Sequence, residues 1–168
     1  MATAGQHKIV IIGGGTAGIT VAARLLKAGE NDVAVIDPAT THYYQPLWTL
    51  VGGGCAHAAE SARPQSTVMP AGVSWIQKRA EEVDPDRQLV TLDDGADIGY
   101  DYLVVCPGIQ LNFEGVSGMG EALDAPAVST NYLLDSAPTT WRNIQNTRGG
   151  TAVFTMPAGP IKTSPRRT

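Results

Sequence analysis

The run Lys8-Ile9-Val10-Ile11-Ile12 passes without a break into Gly13-x-Gly15-x-x-Gly18, and the residues beyond it read as a helix. An apolar strand that meets three glycines and then a helix needs a tight turn, bare backbone and close helix–strand packing in succession. Gly13 allows the turn. Gly15, lacking a side chain, lets a pyrophosphate approach the backbone, and Gly18 lets the helix lie close to the strand. Thr16 and Ala17 would supply backbone N–H groups at the helix start, where the dipole favours phosphate. The expected ligand is a dinucleotide.

The flanking residues strengthen this expectation. The segment from Thr20 onward reads as a helix that ends at Gly29. Asp32-Val33-Ala34-Val35-Ile36-Asp37 reads as a second strand closing on an acid, 19 residues after Gly18. An acid there would accept hydrogen bonds from adenosine ribose hydroxyls. A plain glycine-rich turn, with Asp37 merely ending a strand, is the alternative. The order strand, turn, helix, strand, acid favours the dinucleotide.

The 168 residues suffice for one domain of ordinary size, and 43% hydrophobic with 17% charged residues is a globular composition. A net charge of −4 argues against a general nucleic-acid binder. No apolar run approaches the roughly 18 residues of a membrane-spanning helix. No signal peptide is expected ahead of the first strand, and the expected location is cytoplasmic. Cys55 and Cys106 lie 51 residues apart with no metal-ligand spacing, so no metal site is expected. Cys106 reads as a small hydrophobe at a strand end and Cys55 as a loop bystander.

After Asp37, turns are expected as far as about Gly72, with one short helix from Gln45 to Val51 carrying Pro46 in its first turn. Strands are expected over residues 73–77, 79–84 and 88–92, with a hairpin turn at Asp93-Asp94-Gly95. A further strand over 102–106 stops at Pro107-Gly108. These strands read as a small antiparallel β-meander inserted into an α/β domain. Residues 112–127 read as loop, residues 137–145 as a helix with Trp141 and Ile144 on one face, and residues 151–155 as a new strand.

Several segments carry a specific resemblance: Thr41 through Gly54, Val68 through Ile76, Tyr100 through Val105, Gly108 through Leu111 and Phe154 through Lys162. His42-Tyr43-Tyr44-Gln45-Pro46-Leu47-Trp48-Thr49-Leu50-Val51-Gly52-Gly53-Gly54 is the most distinctive of them. Over residues 7–162 the chain resembles the sulfide:quinone oxidoreductases, particularly the group that includes the mitochondrial enzyme. The resemblance implies an α/β architecture. Residues 1–149 would form a Rossmann-like FAD-binding domain with its inserted meander. Residues 150–168 would hold the first strand of an incomplete second nucleotide-type domain and an aberrant tail.

The implied chemistry is FAD-dependent oxidation of sulfide to sulfane sulfur, with electrons passed to quinone. Complete family members associate peripherally with the membrane. In the family a redox cysteine pair forms a disulfide. Sulfide attacks it, breaking the S–S bond to leave a persulfide on one cysteine and a thiolate on the other, and that thiolate reduces the flavin. Thr163 occupies the position where one of those cysteines is expected, and a hydroxyl has no persulfide chemistry. No catalytic residue is therefore assigned. The loss of resemblance after Lys162 reads as truncation by a reading-frame shift, with a naturally short FAD-binding relative as the alternative. The chain is expected to be catalytically incomplete. A non-catalytic dinucleotide-binding fragment and a type II NADH dehydrogenase-like flavoprotein remain the rival readings.

Gly13, Gly15, Thr16, Ala17, Gly18 and Asp37 are the candidate cofactor-binding residues read from the motif. The resemblance adds Pro46 near the flavin, Val83 at the adenine through its backbone, and Gly108 at the ADP portion. Pro46 fits equally an ordinary helix-start proline, and Gly108 a plain turn glycine. His42, Tyr43, Tyr44 and the three tryptophans read as packing residues. Lys162, Arg166 and Arg167 read as a solvated end.

Overall fold

The computed structural model describes residues 3–155. Strand β1 (Thr3–Ile12) is followed by helix α1 (Thr16–Lys27) and strand β2 (Val33–Ile36). Strands β3 (Thr41–Tyr43) and β4 (Ala62–Pro64) form a separate antiparallel pair flanking α2 (Leu47–Gly52) and a 3-10 turn, Ala58–Ser61. Helix α3 (Gln65–Val68) leads to β5 (Ser74–Ile76), then β6 (Ala80–Asp84), β7 (Leu89–Leu92) and the long β8 (Asp97–Val105). Two short helices complete the described chain, α4 (Met119–Ala122) and α5 (Ala137–Asn146).

The main sheet runs β5-β2-β1-β8-β7-β6. Its first four strands are parallel, and β6, β7 and β8 form the antiparallel meander. In chain order the parallel strands stand 3-2-1-4, the arrangement of a mononucleotide-binding half. The sheet is strongly curled. Ile76 and Ala80 stand on its opposite edges, yet four residues reach at most about 14 Å. Five strand spacings in a flat sheet would need about 24 Å. The meander therefore folds back over one face.

The core confirms the layering. Val10, Ala34 and Ile36 pack with Val90, Leu92, Ile98 and Tyr100 beneath the meander. On the other face Ile9, Ile11, Val33 and Val35 pack with Ala22, and Val21, Leu25 and Leu26 join them from α1. Burial on both faces explains why β1 and β2 read as unbroken apolar runs rather than alternating ones. Helix α1 closes with Gly29 at φ 94° and with Glu30 N–H donating to the Leu25 carbonyl at 3.1 Å, so its last carbonyls find partners. A third cluster joins α2 to α5 through Trp48, Val51 and Ala137.

Four expectations change here. Residues 73–77 do not belong to the meander: Ser74–Ile76 adds a parallel strand beside β2. Its shortness hid this, because three residues show no usable period. The turn-rich stretch after Asp37 contains the β3–β4 pair, also three residues per strand and ending in a proline. Thr151–Thr155 is irregular coil rather than a strand, with Val153 and Phe154 exposed. Among the described residues no strand pairs with it, and a segment without a ladder partner leaves its backbone groups to water. The expected loop at 112–127 holds two single turns, Phe113–Gly115 and α4. Residues 156–168, including the predicted Thr163 position and most of the expected tail, lie outside the described residues.

Candidate functional site

The C-terminal ends of β1, β2 and β8 meet at one rim, where the strand order reverses about β1. In open α/β sheets this is the crevice that takes ligands. Gly13 turns the chain there at φ 99°, and its N–H donates to the Ile36 carbonyl at 2.9 Å. A methyl group on Gly13 would collide with the Cys106 carbonyl, and one on Gly18 with the Gly13 carbonyl. Both glycines are thus required by packing within the protein. Gly15 differs, because a Cβ there would meet nothing within 4 Å. Its bareness serves no internal contact, and the space in front of it is open.

Helix α1 begins at this point without a side-chain cap and without an acid in its first turn. Its first helical bond is Ile19 N–H to the Gly15 carbonyl, at 3.0 Å. The amides of Thr16 and Ala17 precede that bond, and both residues are exposed. Unpaired N–H groups and an uncompensated dipole end make this a place for an anion. Arg24 and Lys27 complement the opposite end.

Asp37 follows β2 directly. Its Oδ2 accepts the Gly14 N–H at 2.5 Å and its Oδ1 accepts the Ala39 N–H at 2.7 Å. Each carboxylate oxygen keeps a further lone pair for a hydroxyl donor. The Asp37 carbonyl accepts from Trp75 Nε1 at 3.0 Å, tying β5 to the same corner. Gln65, almost wholly buried, donates from Nε2 to the Gly14 carbonyl at 2.6 Å. Sequence reasoning missed Gln65 because it lies in a polar, turn-rich stretch, 51 residues from its partner. A shallow depression of about 390 Å³, lined by Thr40, Thr41, Ala62, Arg63 and Pro64, begins three residues beyond Asp37.

The structure therefore brings Gly13, Gly15, Thr16, Ala17, Gly18 and Asp37 to one rim. Gly108 joins them: Pro107 packs beside Gly13, and Gly108 turns the chain at φ 77° into open space. Pro46 is exposed and is the residue that opens α2. Val83 is exposed in β6 and paired with Val90. Its neighbour Ala80 is the β6 residue that packs against the core shared by Ile36 and Ile76. Cys55 is exposed and Cys106 partly buried, and neither is in a disulfide. Tyr43 packs edge-on against Trp48, with ring centroids 6.3 Å apart. Trp48 is buried and donates to Ser61 Oγ at 3.1 Å, as a packing role requires. Among the described residues no helix is long and apolar enough to cross a membrane.

Residues 7–143 match the pyridine nucleotide-disulphide oxidoreductase family. The chain belongs to that family. Within this oxidoreductase family it is similar to the mitochondrial sulfide:quinone oxidoreductase of Mus musculus, 40% identical over 158 residues, which are 94% of this chain and 35% of that protein. The corresponding protein of Dictyostelium discoideum is 39% identical, over 92% of this chain and 35% of its own length. The crystal structure of the sulfide:quinone oxidoreductase of Aquifex aeolicus superposes with a TM-score of 0.66 at 26% identity, covering 83% of this chain and 32% of that one. The resemblance read from the segments around Tyr43 and Trp48 thus holds along nearly the whole chain. The chain spans about a third of the length of these relatives. Flavin-type oxidoreductases are the class to which it is related.

Proposed function

We propose that this chain carries the nucleotide-binding part of an FAD-dependent sulfide:quinone oxidoreductase. The observation that carries the proposal is the uncapped start of α1 facing open space at Gly15, with Asp37 bonded to the same loop. The N–H groups of Gly15, Thr16 and Ala17 hold the pyrophosphate, and Asp37 accepts from the ribose hydroxyls. Gly13 and Gly18 keep the turn tight, and Gly108 leaves room beside the ADP portion. Pro46 and Val83 remain part of the proposal through the family resemblance alone. When bound, FAD supplies a two-electron acceptor that no side chain can provide.

Sulfide as donor and quinone as acceptor are proposed from the names of the similar proteins. Peripheral membrane contact belongs with the quinone in complete members, and a cytoplasmic location is proposed for this chain. A second reading is a dinucleotide-binding module without electron transfer, which the open loop at Gly15 and the Asp37 acceptors would serve equally. The visible absorption spectrum of the purified chain, with and without added FAD, tests the cofactor. Bound oxidised flavin that sulfide then bleaches supports the oxidoreductase. Bound flavin that sulfide leaves unchanged supports the binding module, and a folded chain that takes up no flavin overturns both.

A further inference from the structure

We infer that Gln65 is a positioning residue of the dinucleotide site, directing the Gly15 N–H toward the ligand through the Gly14–Gly15 peptide. The inference rests on the reading of this rim as a dinucleotide site. It starts from burial. Gln65 is 1% exposed, in a helix of only four residues with little apolar surface of its own. Burying a carboxamide is costly unless its polar atoms find partners. Its Nε2 finds one in the Gly14 carbonyl at 2.6 Å, and its own backbone N–H is anchored to the Thr40 carbonyl at 2.8 Å.

The choice of acceptor matters. The Gly14 carbonyl and the Gly15 N–H belong to one peptide unit, which is planar and trans, so the two groups point in opposite directions. A donor fixed on the carbonyl therefore fixes the direction of the N–H. Gln65 lies on the protein side and Gly15 on the exposed side, so the amide is aimed outward. No acceptor among the described residues takes it. Hydrogen bonds in a chain polarise one another, so a donor on the carbonyl also strengthens the amide as a donor.

The preceding peptide is held in the same way, because the Gly14 N–H donates to Asp37. Gly14 is thereby clamped on both polar groups by side chains from two other segments. Its own side is full: a Cβ there would lie 2.7 Å from Gln65 Nε2 and 2.9 Å from Asp37 Cβ. The middle glycine of Gly13-Gly14-Gly15 is accordingly demanded by Gln65 and Asp37, whereas Gly15 is bare toward the ligand.

The test uses the full chain and FAD, with affinity read from flavin fluorescence and folding from thermal melts without ligand. Gln65→Met keeps length and bulk but removes the donor, and should melt cooperatively while binding FAD about tenfold more weakly. Gln65→Glu places a carboxylate against the Gly14 carbonyl, with Asp37 on the other side of Gly14 and with His42, Tyr43 and Arg63 on the two strands, β3 and β4, that α3 contacts. Its binding should be weak near pH 8 and recover toward about pH 5, as the crowded carboxyl takes a proton and becomes a donor. Wild type should show no such recovery. A folded Gln65→Met chain that binds FAD as wild type does overturns the inference. If Gln65→Met does not fold, a Gln65→Glu affinity that ignores pH overturns it instead. A folded wild-type chain that binds no FAD removes the underlying site reading, a different failure from either.

Discussion

The Gly14 N–H and Asp37 Oδ2 are 2.5 Å apart, so the acid that closes β2 is bonded to the loop that closes β1. One side chain thus shapes the glycine turn and presents acceptors at the rim. Asp37→Asn replaces one carboxylate oxygen by an amine group that cannot accept. Either the Gly14 or the Ala39 amide then faces a donor, and the ligand loses a charged partner. Hydrogen bonds to charged groups are worth about 1.5–3 kcal/mol. FAD affinity should fall about 10- to 100-fold, measured by fluorescence titration. An Asp37→Asn chain that binds FAD as tightly as wild type would remove Asp37 from the site.

Two glycines of one motif should respond oppositely to alanine. Gly18→Ala drives a methyl group into the Gly13 carbonyl, and backbone cannot give way there. The expected cost is about 4 kcal/mol or more, enough to abolish a cooperative melt. Gly15→Ala meets nothing within 4 Å, and its φ of −72° suits any L-residue. Its melting temperature should hold or rise slightly, since alanine restricts the unfolded chain. Its FAD affinity should drop, because the added methyl group occupies the approach to the pyrophosphate. Equal loss of stability in both variants would contradict this division of roles.

The glycine loop, its flanking elements and the acid after β2 were legible because their physics is local. Turn, bare backbone and helix start follow one another within a few residues, and the acid ends the next strand. The helix at 137–145 was legible too, from its apolar spacing. What escaped depends on partners distant in sequence. Ser74–Ile76 is a parallel strand because β2 lies beside it, and its three residues carry no sign of that. Thr151–Thr155 has strand composition but no neighbour to pair with among the described residues. Gln65 looks like any polar loop residue until the fold delivers it to Gly14. The adenine-side expectation at Val83 comes from the family resemblance and from no local signal: Val83 is an exposed residue of β6 paired with Val90.

Away from the rim, Asp32 clamps the entry of β1. It accepts from His7 Nδ1 at 2.7 Å and from the Lys8 N–H at 2.8 Å. The His7 bond first, and then the Lys8 amide, hold its carboxyl below the ordinary value of 3.8. A depressed folded value means stabilisation that is complete above pH 3.8 and fades as pH falls through the folded value. The side chain is 54% exposed, so solvent screening keeps the effect small. Asp32→Asn should melt below wild type at neutral pH, and the gap should close in acid below 3.8. A gap that widens in acid would reverse the sign and exclude this account.

The outer edge of β8 should make the chain self-associate. Strand β7 pairs with β8 only at Asp97, Ile98 and Gly99. Among the described residues no strand pairs with Tyr102–Val105 on the side away from β1. Tyr102 and Val105 are 64% and 61% exposed, and Ile109 and Leu111, soon after in the chain, are exposed too. An open edge beside exposed apolar side chains is a template for another chain. Sedimentation velocity over a wide concentration range should show the average mass rising above that of the monomer. Tyr102→Lys puts a charge on that edge without touching a buried residue, and should suppress the rise while leaving the melt intact. A wild-type chain that stays monomeric at every concentration would mean that the edge is closed in solution.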